Sequence, residues 1–188
     1  MSVVVAVFAE APLPGRCAKA LLAYHDPEWV ARLYAAMLRD TLDGLEAIGA
    51  DEHVVLANED EDDEGRRALA RHLPLPWTLA RARAIDASDY VVVATAYAPA
   101  ADVAPLAEAI ATRAHVVADD AWLAGGPALA LTAPSAELVA KIRAEYTNVL
   151  ALPAATIVDG PAALEALLEE LRRHHERAPR TALLAMTS

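Results

Sequence analysis

Apolar and polar residues fall along this chain in blocks, and the blocks mark out the elements. Val3-Val4-Val5-Ala6-Val7-Phe8-Ala9 is a nearly unbroken apolar run, the pattern of a strand buried on both faces. Pro12-Leu13-Pro14-Gly15 stops it abruptly. Asp26 and Pro27 then announce a helix, as N-cap and first-turn residue. Its apolar positions, Val30, Leu33, Tyr34, Met37, Leu38, Thr41, Leu42, Leu45 and Ile48, recur at three- and four-residue spacing and form one stripe, which Gly49 closes. A strand over 53–57 follows a short link and completes a βαβ unit.

Further on, the pattern predicts a short helix over 64–72, stopped by Pro74 and Pro76, and a buried strand over 90–95. A helix over 102–113, a strand over 115–118, a turn at Gly125-Gly126 and an apolar segment over 128–132 come next. Ser135 caps a helix running to about residue 146, and a strand is expected over 155–158. Asp159-Gly160-Pro161 opens a last amphipathic helix with Leu164, Leu167, Leu168 and Leu171 inward. This alternation predicts an α/β fold in three layers, a mostly parallel or mixed central sheet with helices on both faces. Residues 1–177 are expected to form one domain. The tail over 178–188 carries Leu183, Leu184 and Met186 and either docks on the core or contacts a partner.

Composition narrows the function classes. The chain has 188 residues, 56% of them hydrophobic, enough for one sizeable core. A net charge of -11, with Lys and Arg scattered, argues against nucleic acid or an anionic membrane as partner. The single cysteine, Cys17, rules out an internal disulfide and a multi-cysteine zinc site, and the N-terminal apolar run is too short to span a bilayer. A cytoplasmic location is the expectation. Cys17 reads as a small apolar filler, although a thiol near a helix start can be activated.

Residues 59–64, Glu-Asp-Glu-Asp-Asp-Glu, are the most conspicuous charge run. They lack the alternating ligands and the Gly of a calcium loop, so the run reads as a solvated surface and not a cation site. Arg81 and Arg83 are either an anion clamp or two solvated side chains, and the second reading is favoured. His174 and His175 are adjacent and so face about 100° apart on a helix, which suits the helix dipole better than shared metal ligation.

The segment Phe8-Ala9-Glu10-Ala11-Pro12-Leu13-Pro14-Gly15-Arg16-Cys17-Ala18-Lys19-Ala20-Leu21, with Met37-Leu38-Arg39-Asp40-Thr41-Leu42 after it, resembles a bacterial family of unknown function. That family has a glycosyltransferase-A-like fold and belongs with the nucleotide-diphospho-sugar transferases. It is similar to the molybdenum-cofactor and phospholactate guanylyltransferases. Val93-Ala94-Thr95, Gly125-Gly126 and Val158-Asp159-Gly160-Pro161 are weaker anchors of the same resemblance.

The resemblance implies sugar or nucleotidyl transfer, in which a divalent cation neutralises a diphosphate held by basic groups and backbone amides. It assigns Pro14, Gly15, Arg16 and Lys19 to a nucleotide or nucleotide sugar. Other positions depart from the family pattern. Glu10 and Ala18 stand where two lysines are expected, Ala96 and Ala124 where acids are expected, and Pro127 where a tyrosine is expected. A carboxylate at position 10 repels a diphosphate, and alanine cannot ligate Mg²⁺. The expectation is therefore a degenerate transferase-like protein with no catalytic residue, metal ligand or cofactor, keeping a binding role. Two alternatives stay open. One is an active Mg²⁺- or Mn²⁺-dependent transferase using Asp119, Asp120 or Asp159 with Arg16 and Lys19. The other is a homo-oligomeric structural subunit that associates through the apolar loop over 96–101 and the tail.

Overall fold

A computed structural model describes residues 2–80, 90–112, 115–118, 122–125, 136–145, 149–151 and 155–187. Among them β1 (Val3–Ala9), β2 (Glu52–Ala57), β3 (Thr78–Ala80), β4 (Tyr90–Thr95), β5 (His115–Ala118), β6 (Trp122–Gly125) and β7 (Val149–Ala151) form one sheet in the order β3-β2-β1-β4-β6-β5-β7. The pairs β1–β2, β1–β4, β2–β3 and β5–β7 are parallel, and β6 runs antiparallel to both β4 and β5. The fold is thus α/β with a mixed sheet, as the alternation of blocks predicts.

The helices are α1 (Pro27–Glu46), α2 (Asp63–His72), α3 (Ala104–Thr112), α4 (Ala136–Glu145), α5 (Pro161–Arg173) and α6 (Pro179–Met186). The start of α1 follows its sequence signal closely. The Asp26 carboxylate accepts from the Glu28 and Trp29 amides at 3.0 and 3.1 Å, satisfying two donors that a helix start leaves orphaned. Gly49 follows with φ +72°, a left-handed conformation that glycine adopts without strain. The α1 stripe packs on the sheet: Leu33, Tyr34, Met37, Leu38, Leu42 and Leu45 are fully buried with Val3, Val5 and Val7 of β1 and Leu164, Leu167 and Leu171 of α5. Val4, Ala6, Val91 and Val93, which alternate with that face, are buried as well. The centre of the sheet is therefore covered on both sides, which is why its strands read as continuous apolar runs.

Three strands differ from the sequence reading. β3 lies in a stretch without clear periodicity. β6 has four residues, too few to show a period, and its final Gly125 looks like a turn. The expected strand over 155–158 does not form, and the strand of this region is Val149–Ala151 instead. Residues 155–158 run as irregular chain, with the Val158 amide donating to the Tyr97 carbonyl at 2.9 Å. An apolar, β-branched run fits such a half-buried connection as well as it fits a strand. The apolar segment over 128–132, the Ser135 cap, and Arg81, Arg83, Asp119, Asp120 and Pro127 lie outside the described residues.

The tail forms α6 and docks on α1. Asp40, 3% exposed, accepts from the Arg180 and Thr181 amides at 3.3 and 2.8 Å, from Thr181 Oγ1 at 2.8 Å and from Arg180 Nη1 at 3.1 Å. One buried carboxylate thereby caps the start of a helix that lies 140 residues later. Among the described residues no helix is long and apolar enough to cross a membrane.

Candidate functional site

The order of the strands decides where a ligand would sit. The chain moves outward from β1 to β2 and β3, then returns to lay β4 on the other flank of β1. Sheets of this kind bind ligands in the crevice beyond the carboxyl ends of the two strands where the direction of winding reverses. The residues that follow β1 and β4 are Glu10 and Ala96-Tyr97.

Glu10 fills that crevice. Its carboxylate accepts a short hydrogen bond from the Tyr97 hydroxyl, and its Oε2 accepts from the Ala18 amide at 3.0 Å. The same amide lies 3.1 Å from the Tyr97 oxygen. The Glu10 amide donates to the Tyr34 hydroxyl at 2.8 Å, and the Tyr34 and Tyr97 rings pack with centroids 5.2 Å apart. Burial, then the neighbouring Glu10 carboxylate, raise the Tyr97 phenol well above its ordinary value of 10.0, so it stays a donor. Burial chiefly, and then Tyr97, raise Tyr34 in the same way. Cys17 is buried and its thiol is pushed up to about 12, first by burial and then by Glu10. That is the reverse of activation, and it fits the reading of Cys17 as apolar filler.

The Pro-Gly loop itself is a tight turn. The Arg16 amide donates to the Leu13 carbonyl at 3.0 Å, with Pro14 and Gly15 at the corners and Gly15 at φ +76°. These are the residues a type II turn requires. Pro14 and Gly15 are exposed at its tip. Arg16 turns back to the acidic run and forms ion pairs with Glu61 and with Asp62 at 2.9 Å. The run is therefore not uniformly solvated: the Glu61 side chain is 8% exposed.

Lys19 goes elsewhere. It starts a short 3-10 turn, Lys19–Leu21, after Ala18 in a left-handed conformation at φ +45°. With Ala18, Ala20, Tyr97, Ile157, Val158 and Asp159 it lines a cleft of about 230 Å³. The four residues assigned to a nucleotide thus divide into an exposed turn tip, an arginine held by carboxylates and a lysine on the rim of a small cleft.

The described residues do not fit the divalent cation that the resemblance implies. Ala96 offers no ligand at the end of β4, Ala124 lies within β6, and no group of three His, Cys, Asp or Glu among them is placed to hold a metal. Asp159 lies on the cleft wall. None of Tyr97, Tyr34 and Glu61 is among the site residues the sequence suggests: Tyr34 reads as part of the α1 stripe, Tyr97 as part of an apolar loop and Glu61 as one charge of the acidic run. The tyrosines sit in apolar patterns, where only their hydroxyls hint at a partner.

No family model and no curated protein matches the sequence. Solved structures do resemble it. A protein of Desulfovibrio desulfuricans G20 described as a "putative nucleotide-diphospho-sugar transferase" superposes with a TM-score of 0.77 at 18% identity, covering 100% of this chain and 95% of that one. Rv0371c of Mycobacterium tuberculosis H37Rv, solved in complex with manganese, gives a TM-score of 0.57 at 17% identity over 90% of this chain and 99% of its own. A second Rv0371c structure gives 0.57 at 15% identity, covering 90% of this chain and 98% of that one. At these identities the likeness shows the fold, the glycosyltransferase-A-like arrangement that the opening segment leads one to expect.

Proposed function

We propose that this chain is a nucleotidyl- or glycosyltransferase-like protein that has lost the transfer chemistry and keeps a binding role. The observation that carries this reading is the Glu10 carboxylate in the crevice between β1 and β4, held by the Ala18 amide and the Tyr97 hydroxyl. Transfer from a diphosphate needs positive charge or a metal at that point. Two like charges about 4 Å apart near a protein surface repel by about 4 kcal/mol, so a diphosphate beside Glu10 is opposed. Ala96 removes a metal ligand from the same place. What remains is the cleft beside Lys19, about 230 Å³, below the roughly 300–1,000 Å³ of sites for drug-sized ligands. It suits one moiety of a nucleotide or nucleotide sugar, with Lys19 able to meet an anionic group and Tyr97, Ile157 and Val158 an apolar face.

A thermal-shift screen of nucleotides and nucleotide sugars, each with and without Mg²⁺ or Mn²⁺, tests this reading, because a ligand of the native state raises its apparent stability. A shift that is indifferent to the metal is expected. A shift that requires the metal contradicts the loss of the metal site, and no shift with any compound contradicts the binding role.

One observation favours a second reading, an active transferase: Asp159 and Lys19 line the same cleft. Metal-dependent turnover that disappears in an Asp159→Asn protein would support it. Leu183 and Met186, exposed on α6, keep a homo-oligomeric subunit in view, and light scattering of a Leu183→Glu protein tests that. A mass equal to that of the parent protein counts against it.

A further inference from the structure

The acidic run contains one residue that does not behave as a surface carboxylate. Six successive acidic residues repel one another and are expected in water, yet the Glu61 side chain is turned inward at 8% exposure. The run follows β2 directly, through a turn in which the Glu61 amide donates to the Asn58 carbonyl at 3.1 Å. It therefore lies at the carboxyl end of the sheet beside the start of the Pro-Gly loop. There Glu61 Oε2 accepts from the Ala11 amide at 3.3 Å while Oε1 pairs with Arg16 Nη2. Asp62 takes the rest of the guanidinium fork, Oδ1 to Nη2 at 2.9 Å and Oδ2 to Nη1 at 3.1 Å, with Glu64 Oε2 at 3.7 Å from Nη1. Asp62 Oδ1 also accepts from the Gly65 amide at 2.8 Å and so caps α2.

The Ala11 amide and one guanidinium nitrogen of Arg16 converge on the Glu61 carboxylate, while both prongs of the fork hold Asp62, and an amide beside a guanidinium is a donor set suited to an oxyanion. The close fit depends on residue 65 having no side chain. A Cβ there would collide with Glu61 Oε1 and lie 3.0 Å from Arg16 Nη2.

We propose that residues 59–64 are an internal plug: the Glu61 carboxylate occupies an oxyanion receptor formed by Arg16 and the Ala11 amide, and an external phosphate-bearing ligand binds there only by displacing the arm. The receptor is closed by ion pairs and not by packing, so its opening depends on competition between the chain's own carboxylates and the ligand, and on ionic strength. This device is independent of whether any transfer reaction survives and of what the Lys19 cleft holds.

The test is titration calorimetry with inorganic pyrophosphate, metal-free and at low salt. In the full chain carrying Glu61→Gln and Asp62→Asn, the two carboxylates hydrogen-bonded to Arg16 lose their charge while the shape of the arm and the α2 cap are kept. Binding at least tenfold tighter than in the parent protein is expected, and adding Arg16→Ala must abolish the gain. Gly65→Ala is the second variant: it moves the flexible end of Glu61 off Arg16 without changing any charge, and it should also tighten pyrophosphate binding. Affinity in both variants no tighter than in the parent protein, or a gain that survives Arg16→Ala, overturns the proposal.

Discussion

The Tyr97 hydroxyl donates to the Glu10 carboxylate across the carboxyl ends of β4 and β1, which closes the crevice where this type of sheet would receive a ligand. Tyr97→Phe keeps the ring against Tyr34 and removes the hydroxyl, the donor to Glu10 and a second acceptor for the Ala18 amide. The carboxylate is left with the Ala18 amide, and the expected cost is about 1–3 kcal/mol, read from urea unfolding. A change close to zero would mean that the bond does not hold the crevice shut.

Alkali should act on the same pair of tyrosines. Both phenols are raised above 10.0 in the folded protein, so the folded state keeps protons that the unfolded chain releases. Their contribution is fully present below about pH 10 and is lost as the pH climbs toward the folded values. Stability is expected to fall from about pH 10 upward, with a shallower fall in Tyr97→Phe, as measured by circular dichroism.

Acid should act through histidines. Burial lowers His53 below its ordinary 6.5, and burial followed by Arg71 lowers His72. Between the lowered values and 6.5 the unfolded chain binds more protons than the folded one, so the stabilisation is present above 6.5 and is lost as the pH falls through the folded values. His53 packs edge-on against Trp77 with ring centroids 5.1 Å apart, so His53→Phe keeps a ring there and removes one titrating group. The melting temperature of that protein should fall less than the parent's as the pH drops below 6.5, and an identical dependence would contradict the assignment.

The hold of α6 rests on Asp40. Asp40→Ala strips the cap from the helix start and leaves the Thr181 amide and hydroxyl without their acceptor, at an expected cost of about 2 kcal/mol. Hydrogen exchange should show residues 179–186 opening while β1 and β4 stay protected. Uniform loss of protection across the molecule would show instead that α6 and the sheet unfold as one unit.

Much of this fold was legible in the sequence where burial imposes a strong pattern. The Val-rich β1, the Asp26-Pro27 start and stripe of α1, and the Pro161 start of α5 all stand where the pattern puts them. The misses are short or locally ambiguous. Four-residue β6 carries no usable period, and residues 155–158 have strand composition without a strand. The sequence points to the loop over 12–16, whereas the crevice is closed by Glu10 and Tyr97 and the cleft lies beside Lys19. The long-range partners of Glu10, Arg16 and Asp40 lie 87, 46 and 140 residues away, and side-chain pairing at such separations leaves no periodic trace. Glu61 looked like one charge in a solvated run because nothing local distinguishes it from its neighbours.

The proposal tested most directly is that Glu10, in the crevice between β1 and β4 of this glycosyltransferase-A-like fold, bars transfer from a diphosphate there. The most direct measurement is pyrophosphate release from the nucleoside triphosphates, alone and with sugar phosphates, in the presence of Mg²⁺ or Mn²⁺. The account predicts release no greater than in the protein-free control. Robust, metal-dependent release that scales with protein concentration would contradict it.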